Sequence, residues 1–202
     1  MIARPVIALL ALAAFGQLAQ FGWIQGKGLV GQWLMASSWA ASAEAGGESP
    51  KAPWPGARTR PAARLFVPEL QLDRLVVQGA DTPNLAWGPG IETGPNGHVL
   101  IAAHRDTHFR FLGDLEQGHR IELEQPAGVV RHWRVQESRI VDSRSTSLDM
   151  NAPGPLLTMV TCWPIDAIEA GGPLRLVVSA VDRKSTRLNS SHITRSRMPS
   201  SA

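Results

Sequence analysis

The sequence predicts a mostly β protein: a closed or nearly closed eight-stranded β-barrel preceded by an N-terminal transmembrane helix. Two observations predict this architecture. Short β-like runs separated by turn residues follow one another closely after residue 64, with little helical periodicity. An uncharged apolar run also occupies the start of the chain. With 202 residues, of which 44% are hydrophobic, the chain is long enough for one domain with a real core.

The apolar run extends from Val6 to Trp23 and is interrupted only by two glutamines. It is long enough to cross a bilayer, and it is longer than the apolar core of a typical cleaved signal peptide, which is the alternative. We therefore expect residues 1–27 to be an uncleaved membrane anchor. Arg4 precedes the run and favours a cytoplasmic N-terminus, with the rest of the chain on the other side of the membrane.

Residues 28–60 connect the anchor to the predicted barrel. Their first part, up to about residue 45, is apolar and rich in alanine, which indicates a juxtamembrane helix lying near the membrane surface. The second part is rich in Gly, Pro and Ser and contains Trp54 between two prolines. This composition is typical of a linker, so the folded domain is expected over residues 61–181.

Eight short runs within this domain are predicted to be strands, because β-branched and apolar residues are bounded by turn residues. Phe109–Leu115 is predicted to form a single helical turn. The predicted strands are Arg64–Val67, Arg74–Gln78, His98–Ala102, Arg120–Glu124, Val129–Val135, Ser138–Asp142, Leu156–Thr161 and Leu174–Val181.

The tail, residues 182–202, is polar, rich in serine and basic, and it is predicted to be disordered. It resembles the in-frame translation of a sequencing adapter, in which case the natural chain continues differently after Val181. The whole chain has a formal charge of +3. The tail contains five of its 20 Lys and Arg residues, but only one of its 17 acidic residues, Asp182. The body of the protein therefore has no net basic charge, which argues against nucleic-acid binding.

The chain has one cysteine, Cys162, at the end of the apolar run Leu156–Thr161. Pro164 cannot continue a strand ladder, so the thiol is expected where a strand ends and a loop begins. A free cysteine is more often a small, buried and inert side chain. In an exported domain, however, a lone thiol has no partner for an internal disulfide and is exposed to oxidation. Its presence there favours a catalytic function for Cys162.

A cysteine nucleophile needs a proton-transfer partner and a group that stabilises a developing oxyanion. His104 directly follows the apolar run Val99–Ala103, again at a predicted strand end. Arg175 lies inside an apolar strand pattern, and Arg134 is its nearest competitor. A cation among strand residues faces either solvent or a site. None of these residues alone therefore indicates a catalytic site.

Taken together, three segments resemble the histidine, cysteine and arginine signatures of the sortases, in the same order. They are His104–Phe109, Thr158–Cys162 and Leu174–Val178. The resemblance covers about residues 60–181.

Further matches resemble the sortase class of Gram-negative proteobacteria, often called class GN. These are Ala86–Gly90 and the whole stretch Cys162–Arg175. The sequence departs from that class at Ala103, where glycine is usual, at Trp163, where tyrosine is usual, and in the lead-in around Trp54, which lacks a second tryptophan. None of these departures removes a proposed catalytic group.

The resemblance implies a cysteine transpeptidase without a cofactor. Cys162 would be the nucleophile, His104 the general acid and base, and Arg175 the group that stabilises the oxyanion or orients the substrate. The implied substrate is an exported protein with a C-terminal LPxTG-like sorting signal, and the implied acceptor is an amine. The implied location is the inner (cytoplasmic) membrane, with a single span and a periplasmic catalytic domain.

The two neighbours of the cysteine are weaker candidates, for contact with substrate. Thr161 has an alternative role as an ordinary β-branched strand residue. Trp163 is the other weak candidate. The recognition residues as a group are expected on loops such as Asp142–Pro155, which is rich in serine and turn residues.

Three alternatives remain open. A zinc site could use His104, His108, Asp106 and Cys162, although that spacing suits a helix and the Glu of the usual zinc-protease motif is missing. A non-catalytic, membrane-anchored β-domain that binds an envelope partner would leave the thiol inert. A cysteine peptidase would use water instead of the amine. Calcium dependence is undecided, and the acidic residues that raise the question are Asp114, Glu116, Glu122 and Glu124.

Overall fold

The computed structural model describes residues 15–17, 30–151, 154–167 and 171–182. The strands are β1 (Pro61–Val67), β2 (Leu72–Gln78), β3 (Gly90–Thr93), β4 (Val99–Ala102), β5 (Arg120–Glu124), β6 (Val130–Asp142), β7 (Leu156–Cys162) and β8 (Leu174–Asp182). The helices are α1 (30–44) and α2 (Thr82–Leu85), with 3-10 helices η1 (Pro68–Leu70) and η2 (Arg110–Asp114). The eight strands form a closed barrel in the order β1-β2-β3-β4-β7-β8-β6-β5, which confirms the predicted barrel.

The number of strands agrees with the prediction, but the predicted division of β6 is wrong. The sequence predicts two strands there, because Gln136 and Glu137 interrupt the apolar pattern. In the structure β6 is one strand, since β8 pairs with it from Trp133 to Asp142. The two polar residues fall at a β-bulge, which absorbs one extra residue without ending the strand.

Strand β3 is absent from the prediction. It has only four residues, starts with a glycine and contains one large apolar side chain, Ile91, so no local pattern marks it. It forms because β2 and β4 pair with it on either side. The predicted helical turn after residue 109 is present as η2.

The core lies inside the barrel, and alternation along each strand fills it. In β1, Ala63, Leu65 and Val67 are buried while the residues between them are only half-buried. The same alternation places Ile101 of β4 inside. Further core residues are Ile121, Leu123, Trp133, Leu157, Met159 and Val178. Burial of this apolar surface is the main force that closes the barrel.

Helix α1 occupies the segment for which the sequence predicts a juxtamembrane helix. Met35 and Trp39 on one face of α1 are buried. Gly31 lies against Trp87, where a Cβ atom would come within 2.2 Å of the indole ring. The rings of Trp87 and Trp54 are also in contact, with centroids 4.8 Å apart. The indole of Trp87 therefore contacts both α1 and the linker that follows it.

Most of the predicted anchor, residues 1–27, lies outside the described residues, as do residues 183–202 of the predicted tail. Within the part of the chain that is described, no helix is both long and apolar enough to cross a membrane. Asp182, which the sequence assigns to the tail, is the last residue of β8 and pairs with Trp133. The last strand therefore extends one residue beyond its predicted end.

Strand β6 is much longer than β5, its partner on one side. β5 pairs with Val130–Arg134, whereas β8 on the other side pairs as far as Asp142. Within the described chain, the strand pairings leave the β5-facing edge of residues 136–142 without a partner strand. Glu137 and Arg139 lie on this part of β6, both exposed and forming an ion pair.

The burial of the barrel core predicts a contrast between two isoleucines. Ile121→Ala removes a side chain that is 0% exposed, and we expect it to lower the free energy of unfolding by about 2–5 kcal/mol because a cavity remains. The same change at Ile140, which is 49% exposed, should lower it by no more than about 1 kcal/mol. Urea denaturation followed by tryptophan fluorescence measures both, and equal losses would contradict the assigned core.

Candidate active site

The parallel pairing of β4 with β7 brings the predicted histidine beside the predicted cysteine. Ala102 of β4 is opposite Val160 of β7, and the N–H of Ala103 donates to the Val160 carbonyl at 3.3 Å. His104 and Cys162 each follow these partners by two residues. Because neighbouring strand backbones lie about 4.8 Å apart, the two side chains are within reach of each other at one end of the barrel.

The antiparallel pairing of β7 with β8 adds the predicted arginine. Cys162 is the last residue of β7 and is directly opposite Arg175 of β8. Residues directly opposite each other in an antiparallel pair project to the same face of the sheet. The thiol is partly exposed. The structure therefore places Cys162 and Arg175 on adjacent strands, and His104 just past the end of β4, the neighbour of β7 on its other side.

A buried hydrogen bond joins the residues that precede the histidine and the cysteine. The Thr161 hydroxyl donates to the Ala103 carbonyl at 2.8 Å. The Thr161 side chain is 2% exposed, so it points into the barrel rather than towards a substrate. This contact favours the structural alternative for Thr161 and gives its hydroxyl a specific function, which is to fix the two strand ends relative to each other.

A second connection follows the histidine. Arg105 is buried, and its guanidinium donates from Nη1 to the Pro164 carbonyl and from Nη2 to the Ala167 carbonyl, both at 3.0 Å. Both acceptors belong to the loop between β7 and β8. The turn that carries His104 is thus bonded directly to the loop that follows the cysteine.

The two histidines of this turn differ in environment. The backbone N–H groups of His108 and Phe109 donate to the His104 carbonyl at 3.2 and 3.0 Å, which closes the turn. His104 is exposed, whereas His108 is half-buried. Burial lowers the pKa of His108, and the positive charges of Arg74 and His104 lower it further, against the opposing effect of Asp106. His108 is therefore mostly neutral near pH 7.

The guanidinium of Arg175 bonds to its own loop in this structure. Its Nη1 donates to the carbonyls of Gly172 and Leu174, both at 2.8 Å. These bonds use one of three nitrogens, so donors on Nε and Nη2 remain for another acceptor.

Trp163 is half-buried, packs against the barrel core and donates its backbone N–H to the Leu174 carbonyl. The Trp163–Pro164 peptide bond is cis.

The loop between β6 and β7 is fastened at its base beside the site. The N–H and hydroxyl of Ser143 both donate to the Pro173 carbonyl, at 2.9 and 2.7 Å. Next to it, hydrogen bonds from the Arg144 side chain and backbone lower the pKa of Asp142 to about 2. Asp142 is thus charged at any physiological pH, close to the start of β8.

The same loop is also fastened near its far end. His98, which is 4% exposed, places Nδ1 3.1 Å from the Asp149 carbonyl and Nε2 2.8 Å from the Thr158 hydroxyl. The Asn96 side chain donates to the Asn151 carbonyl at 2.8 Å. Because Thr158 lies on β7, the histidine connects the loop to the strand that ends in the cysteine.

The zinc alternative needs at least three ligating side chains close together. In the described ranges of the chain, no three His, Cys, Asp or Glu side chains are placed so that they could hold a metal ion. The turn that carries His104 and His108 is also not an α-helix, which is the conformation that their spacing requires.

Two residues of the site are missing from the sequence prediction. Arg105 adjoins His104, and its charge gives no local sign that it is buried and bonded to a distant loop. His98 follows a turn glycine at the start of an apolar run and is just as uninformative. In both cases the partners lie more than 50 positions away in sequence, so only the fold identifies them.

Comparison with known proteins identifies one family. A family model of the sortase domain matches residues 65–183. Sortase D of Bacillus subtilis (strain 168) is 28% identical over 120 residues, which cover 56% of this chain and 60% of sortase D. The chain thus spans less than two thirds of the length of this curated relative.

Solved structures show the same fold. Sortase A of Listeria monocytogenes is 20% identical with a TM-score of 0.52, over 61% of this chain and 87% of that chain. Sortase A from Corynebacterium diphtheriae is 18% identical with a TM-score of 0.52, over 83% of this chain and 95% of that chain. The barrel matches these structures, and the family model spans more than half of the sequence, including the cysteine, histidine and arginine described above. The chain therefore belongs to the sortase family.

Proposed function

We propose that the protein is a membrane-anchored transpeptidase that cleaves a C-terminal LPxTG-like sorting signal of an exported protein and transfers the acyl group to an amine. The observation that carries this proposal is the register of β7, which sets Cys162 opposite Arg175 and alongside the strand that leads to His104. A nucleophile, a proton-transfer group and a cation then share one end of the barrel.

In the first half-reaction the Cys162 sulfur attacks the carbonyl carbon of the scissile Thr–Gly bond. The carbon–nitrogen bond breaks and an acyl thioester forms on the enzyme. His104 gives a proton to the departing amine, for which an exposed imidazole beside the thiol is suitable. In the second half-reaction His104 takes a proton from the incoming amine, which attacks the thioester and releases the cysteine.

Arg175 is proposed to stabilise the negative charge that develops on the carbonyl oxygen. The guanidinium is permanently charged and can offer Nε and Nη2 while Nη1 remains bonded to the loop. A fixed donor of this kind acts mainly on the transition state, where the oxygen carries charge. The same side chain can also orient the substrate carbonyl. None of these steps needs a metal or a cofactor, and we propose that the protein uses none.

The substrate and the location follow from sequence similarity. The stretch Cys162–Arg175 and the segment Ala86–Gly90 resemble the Gram-negative class of sortases, which supports a single dedicated exported substrate and a periplasmic catalytic domain. The apolar run before residue 27 supports a single inner-membrane span with a cytoplasmic N-terminus. On helix α1, Trp33 is 67% exposed, which suits a helix lying at a lipid headgroup layer. The loop between β6 and β7 is the proposed place of sorting-signal recognition.

The first prediction for the proposed reaction concerns the three proposed catalytic groups. With the full chain in detergent and a fluorogenic LPxTG-type peptide, we expect Cys162→Ala to abolish cleavage. His104→Ala and Arg175→Ala should each lower kcat/KM by about 10²–10⁴-fold, because proton transfer and oxyanion stabilisation are lost. Mass spectrometry of products with and without added oligoglycine distinguishes transfer to an amine from hydrolysis.

Matched controls use the same substitutions elsewhere on the barrel. His132→Ala and Arg134→Ala change exposed residues of β6 and should leave kcat/KM within about twofold of the wild type. Wild-type protein that folds, resists alkylation of its thiol and cleaves no member of a sorting-signal library would favour the non-catalytic envelope-binding alternative.

The second prediction concerns the hydroxyl of Thr161. Thr161→Val leaves the Ala103 carbonyl buried without its donor, which should lower the free energy of unfolding by about 1–3 kcal/mol. Because His104 follows Ala103 directly, a shift of this strand end should also lower kcat/KM by about 10–100-fold. Thr161→Ser keeps the hydroxyl and should restore most of both. Equal activity of the valine and serine variants would show that the bond does not position the site.

A further inference from the structure

Arg105 is a buried cation directly after the proposed general acid. Its side chain is 6% exposed and donates to two carbonyls of the loop that follows Cys162, those of Pro164 and Ala167. Arginine is rarely buried to this extent unless its charge is matched by well-placed acceptors, because removing the charge from water is expensive. The burial of Arg105 therefore indicates that its two hydrogen bonds have a specific function in the structure.

The hydrogen bonds from Arg105 to Pro164 and Ala167 complement the bond made by Thr161. Thr161 joins the residue before the cysteine to the residue before the histidine. Arg105, the residue after the histidine, bonds to the residue two positions after the cysteine. The backbone on both sides of His104 is thus connected to the backbone on both sides of Cys162.

The shape of the side chain explains why arginine is suited to this position. Nη1 and Nη2 point to different residues of the loop, and both bonds are 3.0 Å long. A planar guanidinium holds two such donors in a fixed geometry, whereas an ammonium is a single point with freely rotating donors. A lysine at this position keeps the charge and cannot reproduce both bonds in the same geometry.

We propose that Arg105 is a positioning residue, which holds the His104 turn and the loop after Cys162 at the separation that proton transfer between the imidazole and the amine reacting at Cys162 requires. This inference rests on the proposed function and deepens it. Loss of the two bonds frees the turn to move against the loop, and a displacement near 1 Å is enough to impair a catalytic contact. The role of Arg105 is thus to act through the position of His104.

The test compares Arg105→Lys and Arg105→Gln with the wild type in the full chain. Arg110→Lys is the matched control, since Arg110 is an exposed arginine of η2 a few residues further on. We expect Arg105→Lys to lower kcat by about 10–100-fold while KM stays within about twofold, because the loss affects the reacting groups and not substrate binding. Arg110→Lys should leave both constants unchanged. Circular dichroism at the assay temperature selects folded variants, and Arg105→Gln replaces the lysine variant if that one unfolds.

A double-mutant cycle shows whether Arg105 acts through His104. In a His104→Ala background, Arg105→Lys should reduce the residual rate no further, because the group that it positions is absent. An equal factor in both backgrounds, or a folded Arg105→Lys enzyme with wild-type kcat, would overturn the proposal.

Alkylation of Cys162 by iodoacetamide separates a failure of this inference from a failure of the proposed function. The rate is measured against pH and needs no peptide substrate. If Arg105 holds His104 beside the thiol, the profile of Arg105→Lys should resemble that of His104→Ala, and both should differ from the wild type. A wild-type profile in the folded Arg105→Lys variant would overturn the positioning role even if no peptide is ever cleaved. A shared altered profile would support it independently of peptide cleavage.

Discussion

The active end of this barrel depends on one interaction, the parallel pairing of β4 with β7. The two strands are distant in sequence and are joined by the β5–β6 hairpin, so their alignment is not set by any short turn. Four residue pairs fix the register, from Val99 with Leu157 to Ala102 with Val160. His104 follows the β4 residue of the last pair by two positions, and Cys162, the last residue of β7, follows its partner by two positions. If the register moved by one residue, the side chains of β7 would exchange faces.

The alternation of β7 side chains between the inner and outer faces of the barrel explains why that register is strongly specified. Leu157, Met159 and Thr161 alternate inward, and all three are buried. Cys162 is then the first residue past Thr161 and must point to the outer face, where Arg175 of β8 is opposite. Core packing and the placement of the thiol are therefore consequences of the same alternation. The polar member of the inward set, Thr161, satisfies its hydroxyl with a carbonyl of the neighbouring strand end, as a buried polar group must.

The fold class could be predicted from the sequence because strands of this barrel are short and separated by turn residues. The predictions failed where tertiary pairing overrides local pattern. β3 forms between two neighbours although its own residues carry little signal, and β6 continues through Gln136 and Glu137 because β8 pairs across them. The candidate site could be proposed from the sequence because His104 and Cys162 stand at the ends of apolar runs and, together with Arg175, match a family pattern.

The connections that support the site could not be predicted. Arg105 reaches carbonyls of residues 164 and 167, and His98 reaches residues 149 and 158. Every residue has a backbone carbonyl, so the sequence does not show which carbonyls accept these hydrogen bonds. An arginine is also the same letter in the sequence whether its side chain is buried or solvated. Contacts of this kind are determined by how the loops close over the barrel.

The excess length of β6 has a consequence for the behaviour of the protein among its own copies. An unpaired strand edge invites another chain to add to the sheet, and it is a common origin of aggregation. Here the edge beyond Val135 begins with a bulge and carries Glu137 and Arg139 in place of an unbroken apolar row. A bulge twists the edge out of register with an incoming strand, and the charges would have to lose water on contact. Glu137, one of the two residues that obscure β6 in the sequence, thus also disfavours self-association through this unpaired edge.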